Sequence, residues 1–233
     1  MSLPRGYRRL EYIQSSGKQY INTGFKPNNN TRVVMDAELV SGTGNYALFG
    51  ARLSFDADNY ALAWIGSYFR SDYNTVYTQK WEVSQTTRRI YDKNKETSTI
   101  DGVSQSYTNE TFQVPVNLAL LANNQNGNIA WFASAKLYSC QVYDNDALIR
   151  DYIPCQTTAG EIGLWDDVNS VFYGNAGTGT FTAGPVKVSS LNLPVNIGGT
   201  WKDANEVFVN IGGTWKTVEA AFVNIGGTWK ELG

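Results

Sequence analysis

Apolar and polar residues alternate with a period of two along most of this chain, and short turn-rich runs interrupt the alternation. The clearest stretch is Ala-Lys-Leu-Tyr-Ser-Cys-Gln-Val from Ala135 to Val142, the pattern of a strand with one buried face. Similar patterning predicts strands at Tyr7–Gln14, Gln19–Thr23, Thr31–Leu39, Tyr46–Arg52, Tyr60–Tyr68 and Thr75–Val83. Others are expected at Thr86–Asp92, Lys95–Ile100, Val103–Thr108, Val116–Ala122 and Ala130–Val142. Runs such as Ser15-Ser16-Gly17, Pro27-Asn28-Asn29-Asn30 and Ser41-Gly42-Thr43-Gly44 separate them. Asp101-Gly102 between two strand runs signals a two-residue hairpin, and Gly160–Trp165 with Ser170–Gly174 make a further one. No window sustains a helical period, apart from a candidate turn at Asp146–Arg150. Roughly a dozen strands at this spacing predict an all-β, two-sheet antiparallel sandwich.

The pattern changes at the C-terminus, where Val-Asn-Ile-Gly-Gly-Thr-Trp-Lys occurs at Val195–Lys202, Val209–Lys216 and Val223–Lys230. Each unit reads as strand, Gly-Gly turn, strand. A two-residue loop would pair Asn196 with Trp201 and Ile197 with Thr200, mixing polar and apolar partners. A three-residue loop pairs Val195 with Trp201, Asn196 with Thr200, and puts Gly199 at the left-handed position, so it sorts the faces and is the favoured arrangement. The units would then join into a meander with Val195, Trp201, Val209, Trp215, Val223 and Trp229 on one face, and Phe208 and Phe222 on the other. Such a small sheet cannot bury both faces alone, so the tail is expected to pack on the body, on a sister subunit or on a neighbouring protein. Trp201, Phe208, Trp215, Phe222 and Trp229 are therefore candidate assembly residues. The chain divides on this reading into a body at 1–186, a connector at 187–193 and three hairpin repeats at 194–233.

Composition reinforces the all-β reading: Tyr contributes 14 residues and Gly 22, while charged residues are only 17%. A net charge of −2 without a Lys/Arg run argues against nucleic-acid or anionic-membrane partners. The N-terminus has no apolar leader and no stretch is long enough to span a bilayer, so a soluble product made in the cytoplasm is expected. Because the sequence has no His, Ser-His-Asp, Cys-His and His-zinc chemistry are excluded. A hairpin centred near Asp144–Asp146 would place Cys140 opposite Asp151 or Tyr152 instead of Cys155, so two free, packed thiols are expected and no cofactor is implied.

Longer motifs carry a resemblance. Arg9-Leu10-Glu11-Tyr12-Ile13-Gln14-Ser15-Ser16-Gly17-Lys18-Gln19-Tyr20-Ile21-Asn22-Thr23-Gly24 resembles the start of laminin-G-like, concanavalin-A-like jelly rolls of gut-bacterial and prophage proteins. The stretches Lys136–Asp144, Leu148–Cys155 and Gly163–Asp166 through Phe172–Phe181 are similar to the same group. The Gly-Gly-Thr-Trp-Lys hairpins resemble repeats at the ends of phage tail and virion-surface proteins. The resemblance implies a jelly roll and a place on a phage particle, with other virion proteins or further copies of the chain, such as a homotrimer, as partners. It names no ligand, since such folds host lectins, glycosidases and structural modules alike.

A glycosidase would need paired carboxylates on one strand face. The related β-glucanases carry a Glu-x-Asp-x-x-Glu strand, and this chain has no such run. Its close acidic pairs, Asp56 with Asp58, Asp144 with Asp146 and Asp166 with Asp167, stand in turn contexts. Asp56 and Asp58 are the weak candidates for a calcium ion. A glycan surface needs flat aromatics and planar amide or guanidinium groups. Tyr46, Arg52, Asn59, Tyr60, Trp64, Tyr68, Arg70 and Tyr73 form one candidate set. The loop containing Asn123, Asn124 and Asn126, followed by Trp131, forms a second, and its richness in Asn predicts exposure. The bland alternative is that Trp64 and Trp131 are core and the Asn run a tight loop. The expected function is thus a non-enzymatic phage or prophage surface protein with an adhesion-type jelly roll. The rival readings are a carbohydrate-binding adhesin and, behind it, a glycoside hydrolase.

Overall fold

A computed structural model describes residues 3–40, 44–187, 193–197, 199–204, 208–218 and 221–232. Arg5–Pro185 makes one compact unit, and the repeats fall in another that includes Val186–Gly233. The first unit is an all-β sandwich, with no helix among the described residues.

Its first sheet runs through Val103–Ser106, Thr97–Ile100, Arg89–Asn94, Thr31–Leu39, Ser134–Asp144, Ala147–Thr157, Ile162–Asp166 and Val171–Tyr173. The alternation read along Thr31–Leu39 is strict, with every second residue buried from Thr31 to Leu39. Its intervening residues form an ion-pair ladder on the solvent side: Arg32 with Asp92, Asp36 with Arg88, and Glu38 with Lys136. The second sheet runs through Asn128–Ala130, Asn123–Gln125, Asn45–Arg52, Asn59–Ile65, Tyr68–Tyr73 and Lys80–Trp81. Asn123–Gln125 lies parallel to Asn45–Arg52, whereas the other pairs along that path are antiparallel. Between the sheets, Tyr60 Oη donates to the carbonyls of Thr31 and Lys93, both at 2.9 Å. These bonds let the Tyr60 phenol reach across the sandwich with its hydroxyl paired.

Several sequence expectations hold. Asp101-Gly102 makes a two-residue turn with both residues at positive φ, and Ile100 pairs with Val103. Cys140 pairs with Tyr152, and both cysteines are free and buried. Burial pushes both thiols up, Cys155 to about 12, so neither is a thiolate near neutrality. Other expectations are corrected. Tyr60–Tyr68 is two strands, because Gly66 at φ 62° turns the chain after Ile65. Of Thr75–Val83, only Lys80–Trp81 is strand. Asp146–Arg150 contains no helical turn and leads into the strand Ala147–Thr157. Ala130–Val142 is interrupted at Trp131, which adopts φ 54°.

The repeats depart most from expectation. Asn196 pairs with Trp201 and Ile197 with Thr200, and the later copies repeat this register at Asn210–Trp215 and Asn224–Trp229. The loop therefore has two residues. Gly212 and Gly213 take φ 61° and 84°, and Gly226 and Gly227 take 62° and 84°. This is the left-left backbone of a type I′ turn, whose twist matches the flanking strands. The Asn side chain also bonds the turn: Asn210 Oδ1 accepts the Gly213 N–H, and Asn224 Oδ1 the Gly227 N–H, both at 2.9 Å. Turn chemistry thus outweighs face sorting. Val209 and Trp215 fall on opposite faces. The three hairpins are separate two-stranded sheets among the described residues, not one meander.

Candidate functional site

The register of the second sheet decides which of its residues face the core. Tyr60, Leu62 and Trp64 alternate with Asn59, Ala61, Ala63 and Ile65, and Tyr60 reaches the first sheet. Partners across the ladder share a face. Arg52, opposite Asn59, and Gly50, opposite Ala61, therefore lie on the face turned away from the core, as do Asp72, Arg70 and Tyr68. The parallel strand adds Gln125 beside Arg52 and Asn123 beside Gly50.

This outer face is polar yet buried. Arg52 and Arg70 are each 7% exposed and Asp72 is 0% exposed. Arg70 grips Asp72 with two parallel bonds, Nε to Oδ1 at 2.6 Å and Nη2 to Oδ2 at 2.9 Å. Their i, i+2 spacing on one strand places both on the same side. Asn59 Nδ2 also donates to Asp72 Oδ2, at 3.3 Å. Three rings cover the guanidinium groups. The Cζ of Arg52 lies 4.6 Å from the Trp131 ring centroid and 5.4 Å from that of Phe55. The Cζ of Arg70 lies 5.3 Å from Tyr77, 5.4 Å from Phe55 and 5.8 Å from Trp131. Phe55 and Tyr77 pack together at 4.4 Å, and Phe55 keeps 39% of its surface exposed.

The electrostatics follow from this burial. Desolvation pushes the Asp72 carboxyl above its usual range, while the Arg70 bonds and the positive charges of Arg70, Lys93 and Arg52 pull it back. Burial also lowers Arg52 from its ordinary value; Asp72 opposes this shift and the like charge of Arg70 adds to it. Around these charges, Arg52 Nη1, Asn59 Oδ1, Gln125 Nε2 and both amide atoms of Asn123 are buried with no hydrogen-bond partner among the described residues. Five such atoms on one sheet face are unusual, because buried polar groups are nearly always paired. The floor between them is made of Gly50, Ala61 and Ala63. A Cβ on Gly50 would stand 2.7 Å from Asn123 Oδ1 and 3.0 Å from Ala61 Cβ, so the glycine is what lets the Asn123 amide lie across the sheet.

The structure thus brings together Arg52, Asn59 and Asn123 with Arg70 and Trp131, and keeps Tyr68 on the same face two residues from Arg70. Trp64 is not part of the site: it faces the core, packs edge-on against Phe69 at 5.1 Å and donates to the Gly66 carbonyl. Tyr46 pairs with Trp64 and belongs to that side too. The expectation of an exposed Asn loop is also corrected, since Asn123 and Asn124 are buried. Asn124 serves the backbone, donating to Asn117 O and accepting from Gly127 N–H, while Asn126 stands at the exposed turn with φ 52°. Asp56 and Asp58 sit in the loop that carries Phe55, and no group of three or more Asp, Glu, Cys or His gathers among the described residues. Phe55, Asp72 and Tyr77 escaped the sequence reading. The alternation Arg70-Ser-Asp72 and the small residues at Gly50, Ala61 and Ala63 were the available signals. No protein-family model matches the chain, and no curated protein does.

Proposed function

We propose that the chain is a non-enzymatic adhesion protein of a phage or prophage particle surface, whose sandwich binds a glycan on the outer face of its second sheet. The observation that carries this reading is the convergence there of two buried guanidinium groups, three aromatic rings with centroids within 5.8 Å of them and amide atoms left without partners. Planar amides and guanidinium groups suit sugar hydroxyls, and aromatic rings suit the apolar face of a pyranose. Asp72 is the one carboxylate that the register puts on that face, and Arg70 occupies both of its oxygens. Glycoside hydrolysis in its usual form needs two carboxyl groups flanking the bond. The repeats supply attachment: Trp215 is 69% exposed, and Val209 and Ile211 of the same hairpin are also exposed. Such ribbons call for another surface, on a virion protein or a second copy of the chain.

A glycan array probed with the unaltered chain and with Trp131→Ala tests the reading. Saturable binding that the substitution weakens supports it. No saturable signal on any glycan would leave a purely structural surface protein.

A further inference from the structure

Building on the glycan reading of this face, we infer that its ligand is an acidic saccharide, and that Arg52 receives the singly charged carboxylate or sulfate group. Two guanidinium groups and one carboxylate meet on the face, and the carboxylate is already committed to Arg70 through both oxygens. Arg52 has no carboxylate partner among the described residues, and the charges bearing on it are Asp72 and the like-charged Arg70. The cluster therefore holds one uncompensated positive charge in a nearly dry setting, where a single negative charge is strongly favoured.

Geometry says how that charge would be met. The N–H donors of a guanidinium lie in its plane, so rings over its faces leave the edge for an acceptor. The Arg52 Cζ lies 4.6 Å from the Trp131 ring centroid and 5.4 Å from that of Phe55, and the edge nitrogen Nη1 is buried without an acceptor. A carboxylate, or two oxygens of a sulfate ester, matches that edge. The neighbouring atoms make the ligand a sugar and not a bare ion. Asn123 offers both a donor and an acceptor, Asn59 an acceptor and Gln125 a donor, which is the mixed set that hydroxyl groups satisfy. The small floor of Gly50, Ala61 and Ala63 keeps this set accessible to one another across the sheet.

The test applies the full chain to an array in which every uronic- or sialic-acid glycan stands beside its methyl ester, and every sulfated glycan beside its desulfated form. Saturable binding to an acidic glycan is expected to fall about tenfold or more when the charge is removed, and by a similar factor in Arg52→Gln. The ester and desulfation arms tell carboxylate from sulfate. Gly50→Ala, which displaces the Asn123 amide but keeps the charge, should weaken binding while preserving the preference for acid. Should Arg52→Gln fail to fold, the paired glycans on the unaltered protein still decide the matter. Equal binding of acidic glycans and their neutral partners overturns this inference and leaves the glycan reading standing. Indiscriminate polyanion binding untouched by Arg52→Gln overturns it as well. Absence of any saturable signal overturns both.

Discussion

Lys93 is fully buried between the two sheets, a position that a charged side chain takes only with compensation. Its ammonium donates to Ser71 Oγ at 2.9 Å, Ser71 bonds Ser98 at 2.8 Å, and the rings of Tyr60 and Tyr73 lie 4.6 and 5.3 Å away. Burial still dominates and lowers the amine to about 7, against the pull of Asp72 and Glu96. The unfolded chain keeps an ordinary lysine near 10.4, so between pH 7 and that value it holds a proton that the folded chain has released. Stability should therefore climb with pH, by about 3 kcal/mol from pH 7 to 9.5. Above pH 10 the slope should reverse, because burial keeps Tyr91 and Tyr107 protonated beyond their ordinary range. Urea unfolding across pH 7 to 9.5 checks this, and Lys93→Met should flatten the slope and raise stability at pH 7. A slope unchanged by that substitution would place its origin elsewhere. Lys93 also shows what single residues concealed. In the sequence the expected strand Thr86–Asp92 stops short of Lys93, yet Lys93 belongs to the strand Arg89–Asn94 and shares the inward face with Tyr91. The Asn run misled in the same way: composition suggested exposure, whereas Asn123 is buried over Gly50 on the outer face, held there by the parallel pairing of Asn124 with Ala51 and Gln125 with Arg52, a long-range contact that no local pattern encodes.

At the scale of elements, legibility followed the locality of the cause. Thr31–Leu39 and Ser134–Asp144 were readable because alternation and burial coincide along them. The Asp101-Gly102 hairpin was readable because its turn demands positive φ, which Asp and Gly tolerate. The Ile65–Tyr68 turn was missed because only Gly66-Ser67 separates the apolar run ending at Ile65 from Tyr68 and Phe69. In the repeats the turn was found but its length misjudged, since sorting of faces was weighted above the left-left backbone that Gly-Gly favours. NMR distinguishes the two registers directly. Asn210 and Trp215 should show a close cross-strand Hα–Hα contact, and Val209 with Trp215 should not. Gly213→Ala forces a Cβ into a position at φ 84° and should cost the hairpin about 1 to 2 kcal/mol. Because a lone two-stranded ribbon is marginal in water, that loss should abolish its cross-strand contacts. A hairpin that persisted would show that something beyond the turn holds it together.

The whole molecule combines a large sandwich with three small ribbons whose stability has different sources. Residues Arg5–Pro185 close a unit with a core of their own, from Leu10 and Ile13 to Leu164 and Phe181. A chain ending at residue 186 should therefore fold cooperatively and give dispersed NMR spectra. The middle ribbon shows no such core among its described side chains. In the middle hairpin Val209 and Ile211 lie on one face and Trp215 on the other, all three exposed, so both faces carry apolar surface. Full burial of one such side chain is worth on the order of 2 kcal/mol. With three repeats of the same octapeptide on one chain, association through the tail would multiply any single contact. The full chain is thus expected to sediment as an oligomer at tens of micromolar, with a trimer as the leading candidate, and the chain ending at residue 186 as a monomer. Trp215→Ala should shift the full chain toward monomer in the same sedimentation experiment. Equal monomeric values for the full and shortened chains would rule out self-association through the tail and leave the chain's own body or a different virion protein as the surface that the ribbons meet.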